Sequence, residues 1–323
     1  MKEEVITESG VKPVYREKKM KLTNPKQLAL QSMALFGVVF LLIFNYLPMF
    51  GIVLAFKDGD NTLNVIKAIF NSSWCGFENF RKFLTDKNFL DIMWNTIGLN
   101  LLMMLINFPS PIVFALLLNE LPMGKGRKFI QSTSVFPQFL SWVMYGGIII
   151  ALINTDSGVL NDLLLNLRLI DKPINIKGAP EYFWGLIIVT SLLKGVGWGS
   201  IIYLAAIASL DSDMYEAAAI DGVNRWQKII YITLPSIAPT ITMYMLLSLS
   251  GILNSSVDHI LVFQNYNNLK RSEVIDTYVL KYGIKNAWYS YATAIGLFKS
   301  VVGILLLTGS NFISKKISGR GIF

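Results

Sequence analysis

Long apolar runs alternate with shorter polar stretches along this chain. A helix needs about 20 apolar residues to cross the hydrocarbon core of a bilayer. Six runs meet that length: Leu28–Phe56, Ile92–Asn119, Ser132–Ile153, Tyr182–Ser209, Ile237–Val257 and Tyr291–Ser314. The pattern predicts an all-α integral membrane protein with six transmembrane helices. The first run exceeds the roughly 7–15 residues of a signal-peptide core, and no small-residue cleavage site follows it. It therefore reads as an uncleaved span, loosened near Asn45 and Pro48. The expected organisation is a polar segment over 1–27, a first helix with its following loop over 28–91, a membrane core over 92–314, and a tail over 315–323.

Charge sets an orientation. Of the 323 residues, 53% are hydrophobic and only 15% charged, against about 25% charged in soluble domains. A net charge of +8 would suggest nucleic acid in a soluble protein. Here the basic residues flank apolar runs, so they are expected to set topology, with no nucleic-acid partner. The loop Leu121–Gln131 holds Lys125, Arg127 and Lys128 without an acid, and the tail holds Lys315, Lys316 and Arg320. Both termini are thus expected in the cytoplasm, together with the polar segment around Glu216. Loops 57–91, 154–181 and 258–290 then face outward. In the first of these, "WCGFENFRKFL" (Trp74–Leu84) suits a membrane-surface helix, either an interfacial anchor or a contact for an external partner.

The chemistry of catalysis is thin. One cysteine, Cys75, and one histidine, His259, exclude an internal disulfide and leave little for a metal cluster or a Cys–His pair. There is no glycine-rich phosphate loop and no HExxH helix. The acids Asp211, Asp213, Glu216 and Asp221 cluster, but helix capping explains them. A membrane enzyme such as a lipid-linked transferase would need clustered carboxylates or histidines at one membrane face. The chain is expected not to be an enzyme.

The polar segment before the fifth run is "EAAAIDGVNRWQKIIYITLP", Glu216–Pro235. Asp213 with Glu216 three residues later matches a capping box, and Ala217–Ala219 favour helix. Gly222 accepts the left-handed conformation that stops a helix. Asn224 with Gln227 repeats the start signal. A second short helix would carry Trp226, Ile229, Ile230 and Ile232, and Pro235 would open the next span. The first helix, of about nine residues, is marginal alone in water and needs a packing partner.

"EAAAIDG" followed by "ITLPSIAP" resembles the EAA motif of ABC importer permeases, and Glu216, Ala217, Ala218, Asp221, Gly222, Leu234 and Pro235 match it; Val223 stands where alanine is common. The resemblance implies a type I importer core, with 211–235 as the coupling segment that docks on a cytoplasmic ATPase. "NYLPMFGIVLAFKD" (Asn45–Asp58), "GWGSIIYLAAIASLD" (Gly197–Asp211) and the stretch Ala292–Phe323 resemble oligosaccharide permeases of Gram-positive bacteria. That likeness implies a plasma-membrane subunit working beside a second, different permease, two ATPase subunits and a lipid-anchored sugar-binding protein. It implies no cofactor in this chain, ATP and Mg being bound by the ATPases. A permease for peptides or amino acids is the alternative that the EAA segment alone leaves open.

Ionisable residues within spans are functional candidates. Lys194 precedes the glycine-rich "GVGWGS" and reads either as pore-lining or as a structural partner to a carbonyl. Trp198 could stack on a sugar face or simply pack. Asn254 and Lys299 complete the candidate substrate path. Gly195 and Gly199 form a GxxxG pattern suited to close helix packing. His259 is expected at the surface of an outer loop.

Overall fold

The structure, a computed structural model, describes residues 25–59, 64–122 and 124–318. The chain divides into two units, Met1–Ile52 and Val53–Phe323. The described part of the first unit is helical from Pro25, and its apolar stretch is α1 (Gln31–Phe56), whose hydrophobic side chains from Met33 to Phe50 are exposed. A helix apolar all round suits a membrane span. Its turn over Leu42–Tyr46 is a π-turn, in which the Leu47 N–H reaches back to the Leu42 carbonyl. Pro48 follows directly. The wider turn sits where the proline ring and its missing N–H would otherwise break the ladder, which is the loosening expected near Asn45 and Pro48.

Among its described residues the regular structure of the second unit is all helical, apart from one isolated bridge between Lys57 and Trp74. Its long helices are α2 (Phe89–Glu120), α5 (Phe183–Ala208), α7 (Arg225–Ser250) and α10 (Tyr289–Ser318). With α1 they make five helices long and apolar enough to cross a membrane. The expected third span, Ser132–Ile153, is not one straight helix. It is α3 (Lys125–Val135) with a 3-10 turn over Phe136–Phe139, then α4 (Trp142–Leu152), bent by 106°. Pro137 closes the first piece, and the Ser141 hydroxyl starts the second by accepting the Met144 N–H at 3.2 Å. Counted as one broken span, the pair makes the sixth crossing.

The fifth span also differs from expectation. The second short helix and the span after it are one continuous helix, α7, which begins at Arg225 rather than Ile237. A π-turn over Ile229–Thr233 precedes Pro235, with the Leu234 N–H bonded to the Ile229 carbonyl. Pro235 therefore does not open a new helix. The chain uses the device seen before Pro48, and a proline is carried inside an unbroken rod.

Short helices fill the loops: Val65–Asn71, Glu78–Leu84, Val159–Asn166, α8 (Val257–Phe263), Leu269–Ser272 and α9 (Ile275–Leu280). Within this unit the elements sort to two ends. Trp184 donates to the Arg271 carbonyl, Asn95 to those of Lys270 and Glu273, and Asn265 to that of Lys177. The loops before α2, α5 and α10 thus meet at one end. Glu120, Ile130 and Arg225 share a small cavity at the other, beside α6 (Ser212–Ile220). The buried core follows the same division. Ile92, Ile275, Tyr278 and Ile295 pack at the first end, while Ile112, Tyr203, Ile229 and Ile237 pack beneath α6.

Candidate functional site

The polar segment forms a helix, a glycine stop and a second helix. α6 runs over nine residues, Ser212–Ile220. Its cap is Asp211, not Asp213. Asp211 has extended backbone, and its carboxylate accepts the Asp213 N–H at 3.0 Å. Asp213 lies within the first turn, where its charge suits the helix dipole. The end is a Schellman motif: the Gly222 N–H bonds the Ala219 carbonyl, and the Val223 N–H that of Ala218. This needs a left-handed residue, and Gly222 has φ +72°. Asn224 and Gln227 form the capping box of α7, bonded both ways at 2.9–3.0 Å.

The two alanines have different surroundings. Ala218 is 5% exposed against its own chain, whereas Ala217 and Glu216 face outward. Leu234 is half-buried and Pro235 exposed. Around them stand apolar side chains that the described residues leave uncovered: Ile220 at 86% exposure, with Trp226, Ile230 and Tyr231. A contact invisible in the sequence sets the angle of the pair. The Tyr215 hydroxyl bonds the buried Thr233 hydroxyl at 2.9 Å, which joins α6 to the π-turn of α7.

Lys194 has a structural role. It is 4% exposed, and its ammonium donates to the carbonyls of Pro137 at 2.8 Å, Gln138 at 3.1 Å and Leu140 at 2.6 Å. An ammonium has three donors, and the end of a helix leaves carbonyls without partners. The match closes the break between α3 and α4. The charge also lies 5.1 Å from the Trp142 ring centre and 5.5 Å from that of Tyr145. Non-helical backbone at membrane depth is tolerated only where protein satisfies it, and Lys194 does so here.

His259 is buried rather than at the surface, at 2% exposure. Its ring stacks on Trp142 with centroids 3.7 Å apart, and its Nε2 lies 2.8 Å from the Thr190 hydroxyl. That hydroxyl also lies 2.7 Å from the Leu186 carbonyl and 3.1 Å from that of Ile187.

The other path candidates separate. Trp198 is half exposed, meets Phe139 edge to face, and lines a cavity of about 200 Å³ with Asn107, Gln138 and Tyr203. The Asn107 amide and the Tyr203 hydroxyl have no hydrogen-bond partner among the described residues. Asn254 and Lys299 line a second cavity of about 420 Å³ together with Asp276. Lys299 is ion-paired to Asp276, a partner the sequence did not suggest because 23 residues separate them. Lys194 lines neither cavity. Of the GxxxG pair, Gly199 packs on Pro111, while Gly195 has open space at its Cβ position. Between the two, Gly197 makes the closest approach of this stretch, where a Cβ would lie 2.2 Å from the Ser134 carbonyl oxygen. No group of three or more His, Cys, Asp or Glu able to hold a metal occurs among the described residues.

Comparison with known proteins places this geometry. The model of the binding-protein-dependent transport system inner membrane component family matches residues 30–319. Protein LplB of Bacillus subtilis is 38% identical over 287 residues, covering 89% of this chain and 88% of that protein. The polygalacturonan/rhamnogalacturonan transport system permease protein YteP, also of Bacillus subtilis, is 35% identical over 308 residues, covering 95% and 94%. A bacterial ABC transporter involved in the import of the acidic polysaccharide alginate has a chain of the same fold, with TM-score 0.81 and 33% identity over 91% of this chain and 97% of that one. A second structure holds the alginate transporter in complex with alginate pentasaccharide-bound periplasmic protein, with TM-score 0.81 and 32% identity over 92% and 97%. The chain belongs to the family of inner membrane components of binding-protein-dependent transport systems, and has the type I ABC permease fold.

Proposed function

We propose that this chain is one of two different permease subunits of an ATP-driven importer for oligosaccharides, residing in a bacterial plasma membrane. The observation that carries the reading is the α6–α7 corner. It combines a rigidly capped nine-residue helix, an outward-facing Glu216 and Ala217, and an uncovered apolar rim of Ile220 and Trp226. A short helix with such a rim fits a groove on another protein, and two ATPase subunits that bind ATP and Mg supply it. Similarity to permeases named for saccharide transport, over 95% and 76% of this chain, supports the substrate class. The alginate complex supports a separate binding protein on the outer face.

In this mechanism ATP closes the ATPase pair and moves α6. The shift passes into α7 as a rigid body through the Schellman turn and the Tyr215–Thr233 bond. α7 leads directly into the membrane, so no flexible linker absorbs the motion. Sugar enters from the binding protein while the pore faces out. Trp198, Asn254 and Lys299 are candidates for its path, and Lys194 supports that path by fixing the bend between α3 and α4.

The test is reconstitution of this subunit with the second permease, ATPases and binding protein, followed by ATPase stimulation across oligosaccharides and peptides. Stimulation by oligosaccharides is expected. Stimulation by peptides alone would replace this reading with a peptide permease.

A further inference from the structure

The end of the molecule opposite α6 holds a built cavity that the transport reading does not use. Its volume is about 430 Å³, within the size range of small-molecule sites. Its walls are four aromatic rings from α9, α10 and the turn between them: Tyr278, Tyr282, Trp288 and Tyr291. Tyr282 meets Trp288 at 5.2 Å between centroids and Tyr291 at 5.8 Å, and Trp288 meets Tyr291 at 6.1 Å. Asp58, Asp86 and Lys82 complete the lining.

The rings and acids are held in place by bonds of known direction. The Tyr278 hydroxyl donates to Asp86 Oδ2 at 2.8 Å and lies 3.1 Å from the Tyr291 hydroxyl. Burial, then the bonds to Tyr291 and Asp86, hold the Tyr278 phenol far above its ordinary range, so it stays a donor. The other Asp86 oxygen accepts the Asn88 N–H at 2.7 Å. The Gly59 N–H donates to Ser290 Oγ at 2.9 Å, which fixes the Asp58 strand beside the start of α10. Trp288 stands on a turn that runs through left-handed Ala287, φ +58°, and its N–H bonds the Tyr282 carbonyl at 2.9 Å. Such a conformation at a non-glycine residue is strained and marks a position fixed by its surroundings.

One helix, α7, separates this cavity from α6, and that helix spans the bilayer thickness. The cavity therefore opens on the opposite membrane face, where substrate arrives if α6 meets the ATPase. Flat rings offer a surface to the C–H face of a sugar ring, while carboxylates and an ammonium bond its hydroxyls. Two acids against one base repel a uronate and accept a neutral unit.

We propose that Tyr282 and Trp288, with Asp58, Lys82 and Asp86, form an outer-face subsite for an uncharged sugar ring of the incoming oligosaccharide. This rests on the importer reading above. The test uses the complete complex in nanodiscs at fixed binding-protein concentration. ATPase stimulation is titrated with neutral oligosaccharides and with oligogalacturonates of equal length. Trp288→Ala and Tyr282→Ala should each raise the half-saturating concentration of neutral sugar about tenfold and leave the saturated rate unchanged. Trp288→Phe should restore most of it. Asp58→Asn, at the exposed rim, should shift the preference several-fold toward oligogalacturonate.

An unchanged half-saturation in both alanine variants would overturn the subsite. So would weaker docking of sugar-free binding protein to the Trp288→Ala complex, since that would make the rings a protein contact. Equal response of the wild type to oligogalacturonate and neutral sugar would overturn the neutral-ring assignment. A wild-type complex stimulated by no oligosaccharide of either charge would sink the importer reading itself, which the variant results alone cannot do.

Discussion

The two ends of the second unit are held together by different means. At the end away from α6, the loops are pinned by buried asparagines. Asn79 donates to the Ala55 and Lys57 carbonyls, Asn95 to those of Lys270 and Glu273, Asn161 to those of Asn154 and Ile174, and Asn268 to those of Lys177 and Phe263. Each uses both amide hydrogens on main-chain oxygens from other parts of the chain. At the α6 end, a hydroxyl pair, Tyr215–Thr233, joins two helices, and large apolar side chains stay uncovered by the described residues. A loop whose backbone is satisfied internally is finished as it stands. A corner that leaves Ile220 and Trp226 bare is what the proposed docking of an ATPase subunit would cover.

That contrast can be broken at either end. The largest effect should come from Asn95→Ala, which takes the amide partner from two part-buried carbonyls. At about 1–3 kcal/mol for each group left unsatisfied, it should cost about 3 kcal/mol, seen as a large loss of folded protein and a lower melting temperature in detergent. Lys194→Met should act similarly through its three carbonyls, and Lys194→Arg should recover part of the loss. Ala217→Trp should leave melting unchanged, because Ala217 faces out, yet abolish stimulated transport by blocking docking. Normal transport by that variant would remove the docking role. Ala218→Trp should by contrast lower the melting temperature, since Ala218 is packed inside.

Smaller effects sharpen the comparison. Tyr215→Phe removes one hydrogen bond of about 1 kcal/mol. It should leave ATPase activity in place and lower the sugar moved per ATP, because the angle between α6 and α7 is loosened. An unchanged ratio would show that the Schellman turn alone transmits the motion. The smallest perturbation is chemical. Cys75, the only cysteine, lies in the loop before α2, and burial, then the nearby Asp58, push its thiol up from its ordinary value. A membrane-impermeant maleimide should label it from outside intact cells. Below the thiol pKa, labelling should quicken about tenfold per pH unit, since the thiolate is the nucleophile. Labelling only after the cells are opened would invert the orientation.

Some features were legible because they depend on neighbours in sequence. Apolar runs long enough to span, the Gly222 stop and the Asn224–Gln227 box all follow from local length, backbone freedom and caps. The EAA segment was recognisable for the same reason. The errors lie where two distant pieces of chain meet. A run of apolar residues at Ser132–Ile153 says nothing of a 106° bend, because what tolerates the bend is Lys194, more than 50 residues away. His259 looked like a loop residue until Trp142 and Thr190 closed on it. Lys299, a candidate for the substrate path, has an ion-pair partner, Asp276 on α9, that the sequence did not indicate.

The sequence by itself determined a helical membrane protein and the local form of its helix–glycine–helix corner, since hydrophobic length and capping are properties of adjacent residues. Only the tertiary structure decided which alanine faces out, which lysines are already satisfied, and where four aromatic rings converge. Those outcomes depend on which buried polar groups find partners across the fold, and no stretch of chain carries that information alone.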